Sequence, residues 1–262
     1  MKVQSMFQIA TSLAILGLVS GPATAREVEI EFDAANFTPG AQIDNPYWPL
    51  IVGTSFVYAA ESDEGCAIEK LTVTSATKSD FRGAYRNIVA HVIDERSWLS
   101  EDCDGHYVLQ EATLDWYAQD NAGNIWYFGE ATESYDDEEE CPDTGGSWQA
   151  GKDGAQPGVV MLAQPRAGDA YQQEFLEDEA EDNARVLRLN AHVDIDAGTF
   201  AGCLKTKEWS PLEHGSIEHK YYCPSGGGLM LVNELKGGTL RVEFIGNTLP
   251  PGHFASTGVC ED

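Results

Sequence analysis

The chain has 262 residues, with 16 Lys and Arg against 43 Asp and Glu, a formal net charge of −27. That surplus repels nucleic acid and anionic membrane surfaces and disfavours both as partners, while it suits solubility, cation binding or a salty medium. The absence of a Gly-x-Ser-x-Gly elbow, a His-Glu-x-x-His pair, a phosphate-cradling Gly loop and a dinucleotide fingerprint disfavours the standard serine, zinc and nucleotide enzymes.

The chain opens with MKVQS, then an apolar run over 6–19 and the small-residue exit Gly21-Pro22-Ala23-Thr24-Ala25. One Lys, a short apolar stretch and an Ala-x-Ala ending predict a secretory signal over 1–25, cut after Ala25. The run is too short to span a bilayer comfortably, and no later stretch approaches a spanning length. Removing Lys2 with the signal shifts the net charge from −27 to −28. A mature chain over 26–262 is expected in the periplasm or secreted.

All six Cys (66, 103, 141, 203, 223 and 260) follow the signal. In an oxidising compartment they read as three disulfides, and the lack of any Cys-x-x-Cys pair argues against metal. Of the fifteen pairings that six cysteines permit, Cys203–Cys223 is favoured by opposition across a late hairpin. Cys66–Cys103 and, by elimination, Cys141–Cys260 complete the set.

Short alternating apolar runs between Gly, Asp, Asn and Pro predict strands over 28–32, 55–59, 68–75, 85–93, 107–118 and 125–128. Further strands are expected over 170–175, 185–195, 200–209, 216–223, 229–235 and 239–245. No stretch has a convincing helical period with caps. The expectation is an all-β chain, a single antiparallel domain over 26–262, built as a curved sheet, half-barrel or sandwich and braced by disulfides. Residues 135–155 read as irregular, and LEDEAEDNA over 176–184 as irregular or a short helix.

The stretch LDWYAQDNAGNIWYFGE, over 114–130, folds most simply as a hairpin around Asp120-Asn121-Ala122-Gly123-Asn124, since Gly and Asn accept positive φ cheaply. A five-residue loop sets Gln119 against Ile125, Tyr117 against Tyr127 and Trp116 against Phe128. Aromatics then occupy both faces, and at roughly 25 cal/mol per Å² of wet apolar area at least one must be buried. The other face either packs into the core as well or lines a cleft. Trp116, Trp126, Tyr127, Trp148 and Trp209 are the candidate ligand-binding rings.

The later stretch TFAGCLKTKEWSPLEHGSIEHKYYCP turns at Pro211-Leu212-Glu213-His214-Gly215. Setting Cys203 opposite Cys223 fixes the register, so that Lys207 faces His219 and Glu208 faces Glu218. Opposed carboxylates repel unless a proton, a cation or a Lys compensates. Glu208 and Glu218 are therefore candidates for an acid/base pair or a cation site, with His219 or Lys207 stabilising developing charge. The simpler alternative is an exposed charge ladder neutralised by Lys220. The acid runs 136–140 and 177–182 suit calcium by ligand type, although consecutive acids seldom converge on one ion; no other cofactor is expected.

The motifs NPYWPL (45–50), WYAQD-x-x-GN-x-WYFGE, GSWQAGKDGAQPGVVM (146–161), EAEDNA (179–184) and KEW-x-PLE with EHKYY together resemble a group of secreted bacterial proteins that brings no assigned activity. More loosely, the late strands resemble the closing strands of curved half-barrels of the bacterial envelope, whose concave faces hold apolar ligands. Cys223 departs from the short Pro-Gly turn usual there. The sequence thus supports an exported binder of a sugar, aromatic or lipid-like ligand, such as a small molecule or extracellular carbohydrate. The alternative is a hydrolase or lyase acting on an extracellular polymer or small ester through the Glu pair.

Overall fold

A computed structural model describes residues 26–135, 141–235 and 240–255. The expected signal over 1–25, the acid run 136–140 and Cys260 lie outside them. Among the described residues there is no α-helix.

A two-residue strand, β1 (Arg26–Glu27), precedes a meander of five long strands, β2 (Ser55–Ser62), β3 (Gly65–Lys78), β4 (Ala90–Ser100), β5 (His106–Gln119) and β6 (Ile125–Ser134). Four short strands follow, β7 (Trp148–Gln149), β8 (Gln156–Met161), β9 (Asp169–Gln172) and β10 (Glu174–Phe175). A second meander contains β11 (Asn183–Ile195), β12 (Gly198–Trp209), β13 (Glu218–Cys223), β14 (Gly228–Glu234) and β15 (Leu240–Gly246). The last strand, β16 (His253–Ala255), runs parallel to β5. Pairing of β15 with β2 fuses the two meanders into one open mixed sheet, ordered β1-β9-β11-β12-β13-β14-β15-β2-β3-β4-β5-β6-β8-β10.

One short segment decides the overall curvature. Strand β9 pairs with β11 near one end of the order, and β10 pairs with β8 at the other. Only Gln173 separates β9 from β10, so the sheet curls until its two ends meet. A Cβ on Gly158 of β8 would run into the backbone of Gln173, so glycine is what permits this close approach. Pro157 and Gly158 read as strand breakers, which is why β8 escapes the alternation pattern.

Residues 28–32 alternate like a strand, but the pairing of β1 with β9 ends at Val28, whose N–H donates to the Ala170 carbonyl. Val28, Ile30 and Phe32 instead pack against the main core from outside the sheet. The 85–93 expectation begins late, at Ala90, after a 3₁₀ turn over Gly83–Tyr85. The acid-rich 176–184 segment is a tight turn rather than a helix: Leu176 and Ala180 exchange backbone hydrogen bonds, with Asp178 at φ +62°.

Two expected disulfides are present, Cys66–Cys103 and Cys203–Cys223, as befits a chain built for an oxidising compartment. Cys141 is also disulfide-bonded, and its expected partner lies outside the described residues. None of the described helical turns is long and apolar enough to cross a membrane.

Candidate functional site

The aromatic hairpin forms with the expected register: Gln119 pairs with Ile125, Ala118 with Trp126 and Tyr117 with Tyr127. The register shifts before Asp115, which pairs with Glu130, so the expected opposition of Trp116 and Phe128 falls in an irregular step. Asp120 organises the turn. Its Oδ1 accepts from the backbone N–H of Ala122 and Asn124, and its Oδ2 from the side chains of Asn124 (2.8 Å) and Trp126 (3.0 Å). Those four donors occupy the carboxylate and hold the turn closed.

Both faces of this ribbon are covered. On one, Phe32 and Phe37 pack edge-on against Trp126 and Phe128, while Phe81 meets Trp116 and Lys78 Nζ lies 4.3 Å from the Trp116 ring centre. On the other, Tyr117 and Tyr127 stack at 4.7 Å, flanked edge-on by Trp48 and Trp148. Trp48 comes from the NPYWPL motif, which Asn45 fastens over the hairpin by donating to the carbonyls of Gly123 and Leu162. Of the five rings expected to bind ligand, Trp116, Trp126 and Trp148 are core residues, and Tyr127, also buried, lines the pocket described below. Trp209 is half-buried between the cations of Lys207 and Arg185.

The late hairpin also takes the expected register, with Lys205 opposite Tyr221 and Glu208 opposite Glu218. The four expected catalytic groups are split by strand alternation. Glu208 and Glu218 point inward; Lys207 and His219 belong to the other face. There His219 is held down to about 4 by burial and by Lys205 and Lys207. Burial and Arg185 likewise lower Lys207.

The inward face is not an exposed ladder. Glu208, Glu218 and Lys220 are 3%, 4% and 4% exposed. Lys220 Nζ stands 3.1 Å from Glu208 and 3.3 Å from Glu218. Glu208 also accepts from Thr206 (2.7 Å), Gln173 (3.3 Å) and Tyr222 (3.4 Å). Burial alone would push the Lys220 ammonium down, but the two glutamates outweigh it and hold it above its ordinary value. Glu218 is pushed up to about 8, by burial above all, with Lys220 pulling the other way.

Beside this triad the two ends of the curled sheet enclose a half-open pocket of about 30 Å³. Trp48, Tyr117, Tyr127, Val160 and Tyr222 supply its rings and its apolar wall; Gln173, Glu174, Asp182, Glu208 and Lys220 supply its polar groups. Glu218 is not part of the lining. Burial raises Glu174 well above the usual carboxylate range, reinforced by Asp182 and Glu130. Asp182 rises to about 6, again through burial, against the pull of Lys220 and a bond from Ser210. Behind the stacked tyrosines, Asp115 accepts from the Tyr127 hydroxyl (2.6 Å) and is pushed by burial to about 7.

The sequence pattern did not single out Trp48, Tyr117, Gln173, Glu174, Asp182 or Tyr222. Apart from membership of the aromatic and acidic motifs, no local signal marks them, because the pocket exists only where β5, β6 and β8 meet β12 and β13 around Gln173 and Glu174. Among the described residues no three His, Cys, Asp or Glu converge as metal ligands.

No family model matches the chain, and no curated protein does. One solved structure is similar over part of its course: the crystal structure of a provisionally named lipoprotein from Parabacteroides distasonis ATCC 8503. It is 11% identical, with 76% of this chain and 96% of that chain covered, at a TM-score of 0.34. A score of that size shows neither a shared fold nor a shared function.

Proposed function

We propose that this chain is an exported β-sheet binding protein, carried to the periplasm or beyond by its cleaved leader, whose ligand enters the pocket between Tyr127 and Glu208. The observation that supports it is the company kept there: stacked aromatic rings beside carboxyl and amide groups, at a seam where the two ends of one sheet meet. Rings give contact area and the polar groups give orientation. The pocket is small and half-open, so a sugar, aromatic or lipid-like ligand would enter it by one end.

The test is a thermal-shift screen of the mature protein against sugars, aromatics, lipids, amines and divalent cations. At least one class should raise the melting temperature, and a Val160→Phe variant, which fills the pocket, should lose that response. A screen in which no class stabilises the wild type would defeat the reading.

A hydrolase or lyase is the second reading. It draws on the contrast between Glu218, held up to about 8, and Glu208, which accepts four bonds from neighbouring donors. Product formation from a stabilising compound, abolished in Glu208→Gln, would establish turnover over binding alone.

A further inference from the structure

We infer that the pocket receives the ammonium end of a small organic amine, and that uptake expels protons from Glu174 and Asp182. This rests on the binding reading above and names its ligand class.

Three observations lead there. The first is room. The space is small and half-open, about 30 Å³, room for about two water-sized groups, which suits the polar head of a ligand. The remainder of the ligand must stay at the half-open mouth.

The second is the wall. Tyr117 and Tyr127 stack at 4.7 Å, and Trp48 lies 5.3 Å from Tyr117 and 6.0 Å from Tyr222. A cation over such rings is attracted by the negative charge of their faces, most strongly where water is excluded. A neutral hydroxyl gains much less.

The third is the charge count. Lys220 bridges Glu208 and Glu218 and is shared with Asp182. Glu174 and Asp182 remain on the pocket wall, each partly exposed. The charged and titratable groups facing them are Asp115 and Tyr117 on β5, Tyr127 and Glu130 on β6, Glu208 on β12 and Lys220 on β13. Three of the six are carboxyls and one is a cation. Burial above all keeps protons on both, with neighbouring acids adding to it and Lys220 and Ser210 holding Asp182 to about 6; one lysine among so many acids leaves the wall short of positive charge. An incoming ammonium supplies the missing charge, and the protons leave to solvent.

Titration calorimetry of the mature protein tests this, in cacodylate and in MES at pH 6, with ethanolamine, putrescine and glucosamine as probes. Ethylene glycol, 1,4-butanediol and glucose are their neutral counterparts, and calcium chloride covers a metal ion. The amines should bind with a buffer-dependent heat that reports proton release. Release from Asp182 alone, near 6, makes binding about tenfold tighter at pH 7.5 than at pH 5, and release from Glu174 steepens this further. Glu174→Gln and Asp182→Asn should each weaken amine binding and reduce the buffer dependence, and the double variant should remove it, without lowering the melting temperature of the free protein. Neutral compounds that bind as well as the amines, or calcium binding alone, would overturn the inference while leaving the pocket a binding site. If nothing in either set binds, the inference and the reading beneath it both fall.

Discussion

Replacing Lys220 with Met keeps its length and removes its charge from between two glutamates. All three side chains are nearly inaccessible to water, so solvent screens the loss very little. A buried carboxylate deprived of its cation can instead take up a proton. At pH 8 that costs an ordinary glutamate, near 4.3, about 1.36 kcal/mol per pH unit, or roughly 5 kcal/mol; at pH 5 it costs about 1 kcal/mol. Glu218 already holds a proton much of the time, so one further carboxyl carries the cost. Breaking a buried pair from one side costs about 3–5 kcal/mol in general, in agreement with the larger figure. Urea denaturation of Lys220→Met is therefore expected to show a loss of about 3–5 kcal/mol at pH 8 and about 1 kcal/mol at pH 5. A loss below about 1 kcal/mol at pH 8, or the same loss at both pH values, would refute the assignment of this lysine as the charge that holds the site together.

The wild-type protein should itself lose stability as the medium turns alkaline. Glu218 and Asp115 are held up to about 8 and 7, so each binds its proton more tightly folded than unfolded, and their contribution fades as pH climbs through those values. His219, held down to about 4, opposes this only below about pH 6.5. Urea midpoints should thus fall between pH 6.5 and 8.5, and a rising midpoint would contradict the burial of these acids. Removing the Cys203–Cys223 disulfide, with both residues changed to Ala, should cost about 3 kcal/mol for a loop of 20 residues. Calorimetric melting of that variant against the wild type measures it, and an unchanged melting temperature would deny the bond a structural role. Gly158→Ala should cost about 1–3 kcal/mol and abolish any pocket ligand, because the new methyl displaces Gln173; retained binding would show that the seam between β8 and β10 does not shape the site.

The sequence by itself determined the strands with clean alternation and the two hairpins. Gly123 and Asn124 set the turn of the first, and opposed cysteines set the register of the second, so Tyr117 against Tyr127 and Glu208 against Glu218 were legible from spacing alone. Such pairings are local, fixed by turn length and a period of two. Whether a face meets water is not local. The alternation put Glu208, Glu218 and Lys220 together but could not show them buried, nor that Phe32 and Phe37 would cover Trp126. The pocket belongs wholly to the tertiary structure. Gln173 sits between a strand that pairs with β11 and one that pairs with β8, and that single crossing draws Trp48, Glu174, Asp182 and Tyr222 around one small space. Contacts between segments so far apart depend on how the whole sheet curls, and no short window of sequence records that curl.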